Sequence, residues 1–200
     1  MVINHKIIIL VCTFSSLLVF ILLSHPFIHA LINSESSEEF KTYENLIYGI
    51  NIKYPGDWRY YEKNGPENFS PDRIFQVSFL SPSYKVLSDM VFVWFNIEKI
   101  KDSLSLDDRK NILLNNLNNS SIDVKVQSTT LSGMDAFMID YTTKTVELQR
   151  NIGIEAIRDG LLYSLDFTAQ PDTFEKNLDS IETMIKSMNI SSIAKVTNKI

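Results

Sequence analysis

The residue types able to do chemistry are few and unevenly placed in this chain. All three histidines (His5, His25, His29) and the single cysteine (Cys12) fall within the first 30 residues. Beyond Ala30, histidine triads, Cys–His pairs and the commonest transition-metal ligands are therefore excluded. Carboxylates are what remains. Asp140 and Asp166 both fall on the polar side of alternating segments. If their strands lie close, the two would suit a hard cation such as Ca²⁺ together with carbonyl oxygens. The bland alternative is a pair of solvated strand faces. Asp107 and Asp108 are adjacent, diverge on a helix and read as first-turn acids favouring the helix dipole. Ser83 and Lys85 form a Ser/Lys couple by proximity alone. No G-x-S-x-G, phosphate loop, dinucleotide fingerprint or D-x-D-x-D-G calcium loop occurs. The expectation is no catalytic residue and no cofactor, with Ca²⁺ at Asp140 and Asp166 the weak exception.

Aromatic residues give a second set of candidates. Phe92 and Trp94 alternate with the residues of a core strand, and Tyr60 and Tyr61 adjoin a loop at 63–73. Where no layer covers them, these four are a partner-binding patch; where one does, Phe92 and Trp94 are core. The sequons at Asn68, Asn118, Asn119 and Asn189 permit glycosylation of an exported chain.

The elements that must position these residues begin after an apolar leader. Lys6 is followed by an uncharged run from Ile7 to Ser24, and no charge returns until Glu35. The run is longer than a usual signal core and approaches a short membrane span. Ala30 would precede a cleavage site, but Ile28 then occupies a position that wants a small residue. Charge asymmetry directs the N-terminus to the cytoplasm and the remainder outward. The reading is an N-terminal hydrophobic helix serving as membrane anchor over 1–32, with a cleaved signal peptide and secretion as the alternative. Residues 33–42 read as a polar tether, 43–190 as one domain and 191–200 as a polar tail.

Past the leader the chain's 19 basic residues lose Lys6 while its 24 acidic residues all remain, so the exported part is near −6. With no basic run, nucleic acid is excluded as a partner. No disulfide framework is available, so the core must suffice. About 160 residues can bury roughly two-thirds of their unfolded surface.

Periodicity then predicts the elements. Leu46 to Tyr54 alternates as a strand, Pro55-Gly56-Asp57 turns, and Trp58 to Glu62 returns. Ile74 to Leu80 places Phe75, Val77 and Phe79 on one face. Met90 to Ile97 is apolar on both faces, as in the middle of a covered sheet. Ser105 caps a helix striped by Leu113, Leu114 and Leu117. Strands follow around Ile122–Gln127, Phe137–Thr142, 147–157 and Leu161–Ala169, the last two joined by the hairpin signal Asp159-Gly160. Phe174, Leu178, Ile181, Ile185 and Met188 mark one face of a final helix opened by Pro171. Sequential hairpins with covering helices define an α+β domain.

This order, with Gly49-Ile50-Asn51-Ile52-Lys53-Tyr54-Pro55, Asp57-Trp58, Asp159-Gly160-Leu161-Leu162-Tyr163 and Ile185-Lys186-Ser187-Met188-Asn189-Ile190, resembles the PsbP-like family. That family includes the extrinsic PsbP subunit of photosystem II and prokaryotic exported homologues. The resemblance covers roughly residues 40–190. It implies an α-β-α sandwich with a mainly antiparallel central sheet. It also implies an accessory role through protein binding, no general enzymatic activity, and calcium or manganese as ligands proposed in relatives. The leader departs from a plant transit peptide.

The expected function is a non-catalytic extracytoplasmic accessory domain docking on a membrane or envelope protein complex. Two alternatives stay open: a hydrolase with a carboxylate or Ser/Lys site, and a carrier of a small ligand or divalent cation.

Overall fold

A computed structural model describes residues 39–64, 71–82, 90–101, 103–117, 121–144 and 148–191. These belong to the second of two units into which the chain divides, Met1–Glu38 and Glu39–Ile200. The leader, Asn68, the Ser83/Lys85 couple, Asn118, Asn119 and the tail beyond Ser191 lie outside the described residues.

Among the described residues, ten strands form two sheets, and every pairing is antiparallel. The small sheet has β1 (Phe40–Asn45), β2 (Ile50–Pro55) and β10 (Asn189–Ile190), with β2 in the middle. The large sheet contains β3 (Arg59–Asn64), β4 (Arg73–Leu80), β5 (Phe92–Lys99), β6 (Ser121–Leu131), β7 (Met134–Lys144), β8 (Leu148–Arg158) and β9 (Leu161–Ala169). Their order is β3-β4-β5-β9-β8-β7-β6. Three helices complete the unit: α1 (Leu106–Leu117), α2 (Pro171–Lys176) and α3 (Leu178–Ser187).

Alternation decides the two faces of the large sheet. Phe75, Val77, Phe79, Val93, Phe95, Ile97, Leu165 and Phe167 are fully buried on one face, the core face. There they join Ile50 and Ile52 of the small sheet with Phe174, Ile181 and Met184 of α2 and α3 in one cluster. Two polar contacts hold this layer in place. Tyr43 Oη of β1 donates to Glu62 of β3 at 2.5 Å, and the Lys53 amide donates to Ser187 Oγ at the end of α3 at 2.9 Å. The opposite face receives α1. Leu117 packs there with Phe137 and Ile139, supported by Leu106, Leu113 and Leu114. Ser105 Oγ accepts the Asp108 amide at 3.0 Å while the Asp108 carboxylate accepts the Ser105 amide at 3.2 Å, a reciprocal cap that fixes the start of α1.

The expected strand from Leu46 begins instead at Ile50. Asn45 Oδ1 accepts the amides of Ile47 and Tyr48, closing a side-chain turn that ends β1. Phe40–Thr42, expected in the tether, belong to β1 and pair with Lys53–Pro55. The segment after Trp58 does not return beside β2 but crosses to the edge of the large sheet. The single final helix is two, interrupted at Asn177, whose side-chain amide donates to the Thr173 carbonyl.

Gly49 makes the tight turn into β2 at φ 64°, and an added Cβ would come within 2.8 Å of the Ser191 carbonyl oxygen. Gly133 has φ 77° but open space around it. Gly49→Ala is therefore expected to lose more stability than Gly133→Ala in urea unfolding. The latter should cost about 1–2 kcal/mol for the left-handed backbone alone. Equal losses would show that the contact with Ser191 does not constrain the turn.

Candidate functional site

The α1 face of the large sheet is covered unevenly. α1 lies over β7 and β8, while Gln76, Ser78, Phe92 and Trp94 on β4 and β5 are only half-buried. A concavity of about 370 Å³ opens on this face. Register explains what lines it. Trp94 pairs with Asp166, Asp166 with Gly153, and Asn96 with Ser164, so Trp94, Asn96, Asp166 and Thr168 share the face. Gly153 sits inside β8 where a side chain would fill the hollow. An added Cβ would stand 3.0 Å from Asp166 Oδ1 and 3.3 Å from Ile139 Cγ2. A glycine within a strand commonly marks such a close approach.

The lining is polar and incompletely satisfied from within. Asn96 and Thr168 are 8% and 9% exposed. Asn96 Nδ2 donates to Ser164 Oγ at 3.3 Å, yet Asn96 Oδ1 and Thr168 Oγ1 have no partner among the described residues. Buried polar atoms are nearly always paired, so two orphans bordering one hollow are informative.

The charges around it are mostly neutralised. Arg109 of α1 makes a two-pronged bond to Glu155 of β8, 2.7 and 2.8 Å, and Glu155 raises the Arg109 pKa. Arg73 pairs with Glu98 at 3.0 Å and also donates to Gln76. Among the described residues Asp166 forms no such ion pair. Burial pushes its carboxyl from 3.8 up to about 7; Glu155 and, less strongly, Glu98 add to the rise, against Ser164 and Arg109. Burial, then the Asp166 and Glu155 charges, also raises Tyr141 at the rim.

The expected cation pair does not form. Asp140 lies opposite Ile152 and Asp166 opposite Gly153, so adjacent registers send the two carboxylates to opposite faces. Asp140 is held by Arg150 at 2.9 Å, and Arg150 also pairs with Glu175 and lies over Phe174. Among the described residues no group of three or more His, Cys, Asp or Glu gathers around one point.

Of the four expected partner-binding residues, three share a face. Phe92 and Trp94 stack at 5.9 Å, and Tyr61, 55% exposed, joins Trp94 through Ser78 in one cross-strand row. Tyr60 is on the other face, packing edge-on against Tyr43 and Tyr54. Asn189 is exposed in β10, where its Oδ1 accepts from Ser132 Oγ at 3.2 Å. Asn96, Gly153 and Thr168 were not among the expected site residues. Their only sequence signal is a polar or side-chain-free position inside an otherwise apolar strand.

Two antiparallel sheets with few helices, one helix set on each side of the larger, define the class. The structure resembles cyanobacterial PsbP (CyanoP) from Synechocystis sp. PCC 6803, with TM-score 0.55 and 12% identity over 80% of this chain and 96% of that one. It also resembles LpqN of Mycobacterium tuberculosis, which is involved in cell envelope biogenesis. There the TM-score is 0.53 and identity 16%, over 76% of this chain and 91% of that one. No curated protein sequence matches the chain. The family model described as PsbP-like protein matches residues 2–190, and the chain belongs to that family. Among the described residues no helix is long and apolar enough to cross a membrane.

Proposed function

We propose that the protein is a non-catalytic, exported accessory domain that docks on a membrane or envelope protein complex through the α1 face of its large sheet. The carrying observation is the cross-strand row Tyr61–Ser78–Trp94, where aromatic surface stays exposed on the sheet face opposite the main core. Membership of the PsbP-like family supports an accessory role, and the envelope role stated for LpqN fits export. The chemistry agrees: beyond Ala30 there is no histidine or cysteine, and Arg109 and Arg73 near Asp166 are each committed to a glutamate.

The test uses the full-length protein as bait in mild detergent extracts of its native membranes. A partner captured by the wild type should be retained about tenfold less by a Tyr61→Ala/Phe92→Ala variant shown to be folded, as expected for residues central to an interface. Undiminished capture by the variant would remove this face from the docking surface. A catalytic activity lost on replacing one carboxylate would overturn the accessory reading itself.

A further inference from the structure

The concavity has features that protein docking alone does not require. Asn96 Oδ1 and Thr168 Oγ1 are nine-tenths buried and unpartnered among the described residues at its edge, with Asp166 between them along the sheet. An apolar occupant would leave these oxygens unpaired and desolvated, which disfavours it. An anion finds no free cation among the described lining residues, since Arg73 and Arg109 are both taken by glutamates. A hard metal ion finds one carboxylate where several are usual. What fits is a neutral molecule whose own groups both donate and accept and are spread over a ring. Its apolar face would lie on an aromatic surface. Resting on the reading that this face is a binding face, we infer that the concavity is a saccharide site. Trp94 supplies the aromatic wall, Asn96, Asp166 and Thr168 take sugar hydroxyls from the floor, and Gln76 and Asn151 do so from the sides.

The inference fits the dimensions and the chemistry. About 370 Å³ is room for a mono- or disaccharide and lies in the range of small-ligand sites. A threonine hydroxyl and an asparagine carbonyl both take a sugar O–H, and a protonated aspartic acid also returns one. Gly153 keeps the floor clear.

The test is titration of the full-length protein, in a detergent without a sugar headgroup, with glucose, galactose, mannose, N-acetylglucosamine and their disaccharides. Binding is read by saturation-transfer NMR and by Trp94 fluorescence. The expected result is a dissociation constant of about 1 mM or tighter for at least one saccharide. Trp94→Ala should abolish it. Thr168→Val, which removes only an unpartnered hydroxyl, should weaken it about tenfold while the melting temperature stays level or rises. Folded protein that ignores every saccharide while binding calcium, phosphate or spermidine overturns the inference. Saccharide binding unaffected by Thr168→Val and Trp94→Ala overturns it too. Capture of a membrane partner without any saccharide binding likewise overturns it and leaves the docking reading standing.

Discussion

Arg109→Met is expected to lower the unfolding free energy by about 2–3 kcal/mol, between the values for exposed and fully buried ion pairs, since Arg109 is part-exposed and Glu155 enclosed. The Glu155 side chain is only 5% exposed, and its two carboxylate oxygens each receive a bond from the Arg109 guanidinium. Without that fork, the enclosed Glu155 carboxylate loses both bonds to Arg109. The pair is also the main polar tie between α1 and the sheet, because the helix otherwise holds on through Leu106, Leu113, Leu114 and Leu117. Chemical denaturation of the wild type, Arg109→Met, Glu155→Gln and the double variant separates the terms. The double variant should recover much of the Arg109→Met loss, since the stranded charge is gone. A loss below about 1 kcal/mol, typical of an exposed pair, would show that solvent reaches Glu155. The same cycle bears on the concavity. Arg109 lowers the Asp166 pKa and Glu155 raises it, so disturbing the pair changes the charge at its floor.

Much of the fold was legible wherever one period dominated. Phe75, Val77 and Phe79 alternate cleanly, Asp159-Gly160 forms its hairpin with both φ angles positive, and Ser105 caps α1 as its spacing indicated. The misreadings lie where side-chain bonding or tertiary pairing overrode period. Asn45 ends β1 by bonding two amides, an effect that hydropathy does not register. β1 buries only Tyr43 deeply, so its sequence looks like tether. Ile122, Val124 and Val126 alternate with polar residues as one strand face, and β6 is the sheet's edge. A register shift beyond Ile122, with Asp123 at φ 54°, leaves Val124 and Val126 exposed. The site was the least legible part. Asp166 was visible as a polar position, but its proposed partner Asp140 faces away by one register step. Asn96 and Gly153 are 57 residues apart in the chain, and only the order β5-β9-β8 places them around the same carboxyl.

That carboxyl supports a second large prediction. Asp166→Asn is expected to stabilise the protein by about 2–4 kcal/mol at pH 8 and by only about 1 kcal/mol at pH 4.5. Folding raises the carboxyl from 3.8 to about 7, so between those values the folded chain holds a proton that the unfolded chain releases. Wild-type stability from this group is therefore greatest at the acid end of the window. It is lost as pH rises toward 7, and constant above. The charged groups acting on Asp166 are Glu155 on β8, Glu98 on β5 and Arg109 on α1, with Tyr141 on β7 and Arg73 on β4 lining the same hollow. All five are common to both proteins, so the difference between their melting profiles isolates Asp166. A rise of roughly 5–10 °C at pH 8 corresponds to the expected free energy for a domain of this size. A difference independent of pH would mean that water reaches the carboxyl and that its pKa is ordinary. If the window is found, Asp166 is a group whose ionisation costs stability, placed beside Asn96 Oδ1 and Thr168 Oγ1, which have no partner among the described residues. Three departures from the rules of a stable sheet in one hollow are what a binding site requires and a purely structural surface does not. A ligand that hydrogen-bonds these groups should then narrow the gap between Asp166→Asn and the wild type at pH 8.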